Sequence, residues 1–278
     1  MIVAANPLHR AVCRTYPFRR GRWRLIDLMR RRVGGRVLGR DMFGQRLLLD
    51  LGNYVDCMVY LDGAYEKESV LALEAVAREH GCRAMVDVGA NIGCYTLFFA
   101  RRLGLDPVLA FEPMTRHYRQ LQANLWLNDL GGRVQTHQLA LSDHGGEAVM
   151  HQPPTRRRNG VQFNTGGARV LDEAEAAEGP GEGETFRVPL VRFDERFTLD
   201  RPTLIKIDVE GHELAVLRGM PAALAGPVRV LMVESAPPNL TDVTALLSGH
   251  GFRRRDELRL PCDNWVFVKD PAGGTTDA

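Results

Sequence analysis

With 278 residues, the chain is long enough for one α/β domain of about 200 residues with extensions and a full core. Its net charge of +2 at pH 7 is unevenly distributed, because residues 1–46 carry +10 and the remainder carries −8. The five cysteines form no C-x-x-C pair, which disfavours a disulfide framework or a zinc site and favours a cytoplasmic location. No apolar run could span a bilayer and no signal peptide is evident, so we expect a soluble or peripherally attached protein.

The N-terminal segment combines arginines with helically spaced apolar residues between Gly21 and Val33, which predicts a basic amphipathic helix. Two interpretations stay open: a cap that packs on the domain, or contact between residues 1–46 and an anionic membrane or glycan. Residues 40–60 predict a small β element, with strands at 46–50 and 57–60 about a turn. We therefore assign residues 1–62 to a basic extension with helical and β structure.

The rest of the chain alternates helices and strands, which predicts a parallel sheet with right-handed crossovers. Helices are expected at 66–80, 93–103, 115–127, 213–218 and 241–250, and strands at 84–88, 108–111, 134–141, 203–208, 228–234 and 265–268. Residues 144–187 interrupt this alternation with charged and glycine-rich stretches, and we interpret them as a partly flexible insertion over the site. The main domain then spans residues 63–270, and 271–278 form a loose tail.

A tight turn is expected after the first strand of this sheet, in the sequence V-D-V-G-A-N-I-G. Gly89 and Gly93 would let the backbone approach a nucleotide-like ligand at the start of the next helix. Asn91 stands where a dinucleotide fingerprint needs its middle glycine, which disfavours a pyrophosphate. Glu112 ends the next strand and can accept hydrogen bonds from ribose hydroxyls. The pattern predicts a site for an adenosine without phosphates, with a purely structural turn as the alternative.

Four carboxylates fall at predicted strand ends, namely Asp87, Glu112, Asp208 and Glu234. Since ligands sit at the carboxyl ends of parallel strands, we expect these side chains to converge on one edge. Lys206 lies within a predicted buried strand and should therefore form an ion pair with a neighbouring carboxylate. His212 follows in the turn after Asp208 and is either a general base or a helix-start residue bonded to backbone.

Together these motifs resemble the FkbM-type family of S-adenosylmethionine-dependent methyltransferases. The resemblance rests on V-D-V-G-A-N-I-G at 86–93, A-L-S-D at 140–143, L-I-K-I-D-V-E-G-H-E-L-A-V-L-R-G at 204–219 and V-E-S at 233–235. Weaker matches are G-A-Y-E at 63–66 and F-N-T-G-G at 163–167. The resemblance covers residues 60–268 and implies an α/β, Rossmann-like class I methyltransferase sheet, mostly parallel with one antiparallel strand near its edge.

The resemblance further implies an O-methyltransferase that uses S-adenosyl-L-methionine and acts on a hydroxyl of a sugar, glycan or glycosylated natural product. It implies cofactor binding by Gly89, Ala90, Asn91, Gly93, Glu112, Ala140 and Leu141, and we expect Glu66, Asp87, Thr96 and Asp208 to contribute to the same site. It assigns catalysis to Asp208, Glu210, His212 and Glu234. Alternatively, a divalent cation could be held by Asp208, Glu210 and Glu234, although their spacing does not require a metal.

Two other classes of function stay open at this point. An NAD-dependent oxidoreductase shares the sheet and the ribose-binding acid, but the missing middle glycine counts against it. A non-catalytic module could be held to an anionic surface by the N-terminal arginines. Nucleic-acid binding is disfavoured, because the arginine-rich segment contains no recognisable base-reading module.

Overall fold

A computed structural model describes residues 35–153, 157–158, 161–162, 166–171, 175, 179 and 181–270, and from the N-terminal segment 3–4, 11, 24, 26–28 and 31. The tail at 271–278, most of the predicted basic helix at 21–33 and residues 163–165 lie outside these ranges. Within them, Ile26 is fully buried in the main hydrophobic core. No helix of the described part is both long and apolar enough to cross a membrane.

Short strands alternate with helices along the described part of the chain. The strands are β1 (Val3–Ala4), β2 (Arg36–Arg40), β3 (Arg46–Asp50), β4 (Ala84–Val88), β5 (Val108–Phe111), β6 (Val134–His137), β7 (Ala140–Leu141), β8 (Gly146–Gln152), β9 (Arg157–Arg158), β10 (Val161–Gln162), β11 (Arg169–Val170), β12 (Glu184–Val191), β13 (Thr203–Ile207), β14 (Val228–Glu234), β15 (Arg253–Arg254) and β16 (Asn264–Val268). The helices are α1 (Tyr54–Asp62), α2 (Lys67–Glu79), α3 (Cys94–Phe98), which continues as a π-helical turn (Phe99–Leu103), α4 (Thr115–Leu127), α5 (Phe193–Arg196), α6 (Glu213–Arg218), α7 (Pro221–Ala225) and α8 (Pro237–Gly249).

The central sheet has the strand order β15-β16-β14-β13-β4-β5-β6. The strands from β14 to β6 are parallel, whereas β16 pairs antiparallel with β14 and short β15 extends it at the edge. This confirms the predicted mostly parallel sheet with an antiparallel strand near its edge. Every residue of β4 and β13 is buried, because helices and loops cover both faces. After β4 the chain forms β5 and β6 on one side of β4, and it later forms β13 on the other side. The strand order therefore reverses between β4 and β13, where parallel sheets bind their ligands.

A second, smaller sheet with the order β11-β8-β12-β7 is formed largely by residues of the predicted insertion. The prediction of one strand over residues 134–141 is wrong. The last two of these residues form β7, which pairs with β12 and not with the central sheet. The alternation of buried Val188 and Leu190 with exposed Arg187 and Pro189 explains β12, which the sequence analysis does not predict. The insertion thus adds a β layer beside the central sheet.

The strand predicted at 57–60 is also wrong, because these residues belong to helix α1. A four-residue apolar run cannot distinguish strand from helix by its period. Asp56 in the first turn is fully buried and accepts hydrogen bonds from the Asp50 amide at 2.7 Å, from Gln120 Nε2 at 2.5 Å and from the Asn53 side chain. These contacts place α1 against α4.

Helix α4 also holds the edge of strand β3 through three amide side chains spaced four residues apart. Gln120 Nε2 donates to the Leu48 carbonyl at 2.8 Å, and the Leu48 amide donates to Asn124 Oδ1 at 2.7 Å. Asn128 pairs with both backbone groups of Arg46, at 2.9 and 2.7 Å. We call Gln120, Asn124 and Asn128 the amide stripe. It replaces the partner strand that a sheet edge otherwise lacks.

Candidate active site

The two turns that form the site touch through their backbones. Gly89, directly after β4, has φ +78°, and a Cβ built on it would lie only 1.8 Å from the Asp208 carbonyl oxygen. Gly93 has φ +92°, and its Cβ would lie 2.6 Å from Leu121 of α4. Glycine is therefore required at Gly89 both for conformation and for the close approach to the turn after β13.

Glu112, at the end of β5, anchors the glycine turn. Its carboxylate accepts the Asn91 amide at 2.8 Å and the Met114 amide at 2.9 Å. Burial nevertheless raises the pKa of Glu112 to about 7. Asn91 Oδ1 is buried and has no hydrogen-bond partner among the described residues. The carboxylate of Glu112 and this unpaired oxygen are thus acceptors suited to ligand hydroxyls or amines.

Lys206 lies on β13 beneath the site and forms the predicted ion pair. Its Nζ is 3.0 Å from Asp208 Oδ2, 3.8 Å from Asp87 Oδ1 and 3.0 Å from the Gly89 carbonyl oxygen. Burial disfavours the lysine charge, but the two carboxylates reverse this effect and raise the pKa of Lys206. Asp87 is fully buried and accepts a hydrogen bond from Thr96 Oγ1 at 2.5 Å. This buried network joins β4, β13 and α3.

A cavity of about 270 Å³ lies above these turns. Its lining includes all four predicted catalytic residues (Asp208, Glu210, His212 and Glu234) and, of the other predicted cofactor residues, Gly89, Ala90, Asn91, Glu112, Ala140 and Leu141. The remaining predicted cofactor residues, Glu66, Asp87, Gly93 and Thr96, are not part of the lining. Asp87, Gly93 and Thr96 support the turn from below.

Glu66 belongs to a neighbouring polar cluster behind this lining. It accepts hydrogen bonds from Tyr95 Oη at 2.8 Å and from Asn264 Nδ2 at 3.2 Å. Its second oxygen, Oε1, is buried and makes no hydrogen bond within the described ranges. Glu66 has φ +45°, a conformation that is uncommon for residues other than glycine. Glu66 is thus bonded to Tyr95, which lines the cavity, but is not itself part of the lining.

The cavity also contains residues that the sequence analysis did not identify. Tyr54 and Val55 come from the N-terminal extension, and Met150, Ala168 and Val170 come from the insertion. Their apolar character gave no signal, because apolar residues in loops and short strands are common everywhere. Both the extension and the insertion therefore contribute to the site.

We call the part of the cavity lining formed by Asp208, Glu210, His212 and Glu234 the acidic edge, and its side chains differ in pKa. Burial, together with repulsion by Asp208 and Glu213, raises the pKa of Glu210 to about 7. Burial, together with Asp208 and Glu66, raises the pKa of Glu234 to about 9, so that Glu234 carries a proton at neutral pH. Burial lowers the pKa of His212, which keeps its imidazole neutral at pH 7. Glu210 and His212 are thus the groups of this edge best suited to accept a proton.

The structure also bears on a metal site at the carboxylates and on His212 as a helix-start residue bonded to backbone. In the described ranges, no three His, Cys, Asp or Glu side chains are arranged so that they could hold a metal ion. His212 is the N-cap residue before α6 and makes no side-chain capping bond, and its Nε2 lies 3.0 Å from Ser142 Oγ. Its side chain therefore contacts another side chain rather than the backbone.

Comparison with known proteins shows to which family the chain belongs. The model of the methyltransferase FkbM domain matches residues 87–254, which contain the glycine turn, Glu112 and the acidic edge. The methyltransferase sdnD of Sordaria araneosa is 31% identical over 205 residues, which cover 66% of this chain and 79% of that protein. The 31-O-demethyl-FK506 methyltransferase FkbM of Streptomyces tacrolimicus is 31% identical over 186 residues, 60% of this chain and 71% of its own.

The hexuronic acid methyltransferase AglP of Haloferax volcanii is 30% identical over 162 residues, which cover 58% of this chain and 60% of that protein. All three relatives thus have about the same sequence identity to this chain, and the family model matches more than half of the chain. The chain belongs to the FkbM methyltransferase family and is a methyltransferase.

Proposed function

We propose that this methyltransferase uses S-adenosylmethionine to methylate a hydroxyl of a sugar-like or glycosylated acceptor. The observation that carries the proposal is the convergence of the glycine turn, Glu112 and the acidic edge on one cavity. Two of the relatives are named as methyltransferases of a hexuronic acid and of 31-O-demethyl-FK506, which supports an oxygen acceptor.

The residues of the cavity fit this cofactor. Glu112 and the unpaired Asn91 Oδ1 provide acceptors for ribose hydroxyls and for the ammonium group. Ala140 and Leu141, together with Met150, provide an apolar wall for the adenine. The bound cofactor would supply an electrophilic methyl group on a sulfonium.

The chain's own residues then align the acceptor and remove its proton. Methyl transfer is an in-line displacement, so positioning of the acceptor oxygen supplies much of the catalysis. Asp208 is held by Lys206, and protonated Glu234 can donate a hydrogen bond to the acceptor. Glu210 or His212 takes the hydroxyl proton as the oxygen becomes an ether.

Incubation with S-adenosylmethionine that carries a deuterated methyl group, followed by mass spectrometry of a panel of sugars and glycosides, tests the proposal. Replacement of the base in Glu210→Gln or His212→Gln should lower turnover by about 10²- to 10⁴-fold with little change in cofactor affinity. Glu68→Gln and His250→Gln are matched controls outside the cavity. Near wild-type turnover in both site variants would refute the catalytic role of the acidic edge. Preferential binding of NAD would refute S-adenosylmethionine as the cofactor.

A further inference from the structure

A chain of hydrogen-bonded side chains leads from the cavity to the surface of the protein. His212 Nε2 lies 3.0 Å from Ser142 Oγ, and Ser142 Oγ lies 3.3 Å from Asp143 Oδ1. The same Asp143 oxygen lies 2.7 Å from His144 Nδ1. His212 lines the cavity, whereas the side chains of Asp143 and His144 are 38% and 64% exposed. The chain therefore connects the candidate active site to solvent.

Close packing holds the middle of this chain in place. Ser142 is fully buried, and its amide donates to the Val191 carbonyl of β12 at 3.0 Å. A Cβ on Gly219, after α6, would lie 2.0 Å from the Ser142 carbonyl oxygen. Glycine at that position thus lets the loop after β7 approach the end of α6. Ser142, Asp143 and His144 do not line the cavity, so they are distinct from the acidic edge.

The partners of Ser142 fix the direction of the hydrogen bonds. Asp143 can only accept when ionised, and its hydrogen bond with His144 lowers the pKa of Asp143. The Ser142 hydroxyl therefore donates to Asp143 and accepts from His212 Nε2. Because Nε2 then carries the hydrogen, Nδ1 is the basic nitrogen of His212. Nδ1 makes no hydrogen bond within the described part of the chain.

We propose that Ser142 and Asp143 set His212 as the general base of the methyl transfer and carry the released proton to solvent. This inference rests on the proposed function. As the acceptor oxygen gains the methyl group, its proton passes to His212 Nδ1. The Nε2 proton passes to Ser142 Oγ, the Ser142 hydroxyl proton passes to Asp143, and Asp143 releases it to water directly or through His144. In the emptied cavity the Nδ1 proton then passes to water and the same chain returns a proton to Nε2, which restores the starting form of His212. Ser142 and Asp143 are thus positioning residues for His212.

The first test is independent of any acceptor. In protein labelled with ¹⁵N at histidine, NMR spectra report which ring nitrogen of His212 carries the hydrogen. We expect the Nε2–H form in wild type and in the control Ser248→Ala, and loss of that single form in Ser142→Ala. A wild-type Nδ1–H form, or an unchanged tautomer in Ser142→Ala, would overturn the proposal.

The second test measures turnover on an acceptor that the wild type methylates. Ser142→Ala and Asp143→Asn should each lower kcat at least about tenfold, within the range of general-base catalysis, and leave binding of S-adenosylhomocysteine unchanged. Ser142→Thr, which keeps the hydroxyl, should recover much of this loss. If the wild type methylates no acceptor, the proposed function fails and this inference with it. If the wild type is active and both variants keep its kcat, the relay alone fails.

Discussion

Replacement of Gly89 by alanine would test whether the site depends on the contact between its two turns. The new Cβ would lie 1.8 Å from the Asp208 carbonyl oxygen, so the turns must separate by at least about 1.2 Å to reach 3.0 Å. A displacement of about 1 Å near the reacting atoms can cost about 10²-fold in rate. A positive φ alone costs alanine about 1–2 kcal/mol. We therefore expect Gly89→Ala to lose at least about 100-fold in turnover and clearly more than 2 kcal/mol of stability.

A control in the same chain separates these two effects. Gly81 has φ +61° but no atom within 4 Å of a built Cβ, so Gly81→Ala incurs the conformational cost alone. Denaturant unfolding measures the stability of both variants, and calorimetry measures their affinity for S-adenosylhomocysteine. Equal losses of stability in the two variants, with unchanged affinity in Gly89→Ala, would refute the reasoning.

Three further predictions test Glu112 as the ribose-binding residue, His212 as the general base and the N-terminal segment as a structural cap. Glu112→Ala should weaken binding of S-adenosylhomocysteine by about 1–3 kcal/mol in calorimetry, and unchanged affinity would remove Glu112 from the ribose site. Because burial lowers the pKa of His212, NMR of ¹⁵N-labelled histidine should show its imidazole becoming protonated with a midpoint below 6.5, and a midpoint above 6.5 would contradict His212 as a base that is neutral at pH 7. Ile26→Ala should cost about 2–5 kcal/mol of unfolding free energy if the segment is a structural cap, whereas a loss below about 0.5 kcal/mol would favour a surface-binding role.

The central sheet could be predicted from sequence because its strands are short, continuous apolar runs bounded by turn residues. Strands β4 and β13 agree with the prediction to within one residue at their ends. The sequence predicts the glycine turn because glycine after a strand is tied to one backbone geometry, and it predicts Glu112 because this residue ends the next strand. Local sequence was thus enough to predict the glycine turn and the strand ends that line the cavity, whereas the roles of these residues stay predictions.

The periphery of the site could not be predicted, because it depends on contacts between distant segments. Tyr54 reaches the cavity only because α1 packs on α4, and the sequence shows neither element's partner. Glu66 is bonded to Tyr95 of the lining and to Asn264, which is distant in sequence, so its exact place beside the cavity depends on contacts that the sequence does not show. Periodicity assigns a residue to an element and leaves open which neighbour that element meets.

The amide stripe on α4 has a consequence for protein engineering. Asn124 accepts from β3 and, through Nδ2, donates to the Ile92 carbonyl in the glycine turn at 2.9 Å. A chain trimmed to the family-matched residues 87–254 would lose β3 and, with it, the stripe's backbone partners at Arg46 and Leu48. Chimeras between relatives should therefore exchange residues 36–62 and α4 as one block, with crossover points outside both.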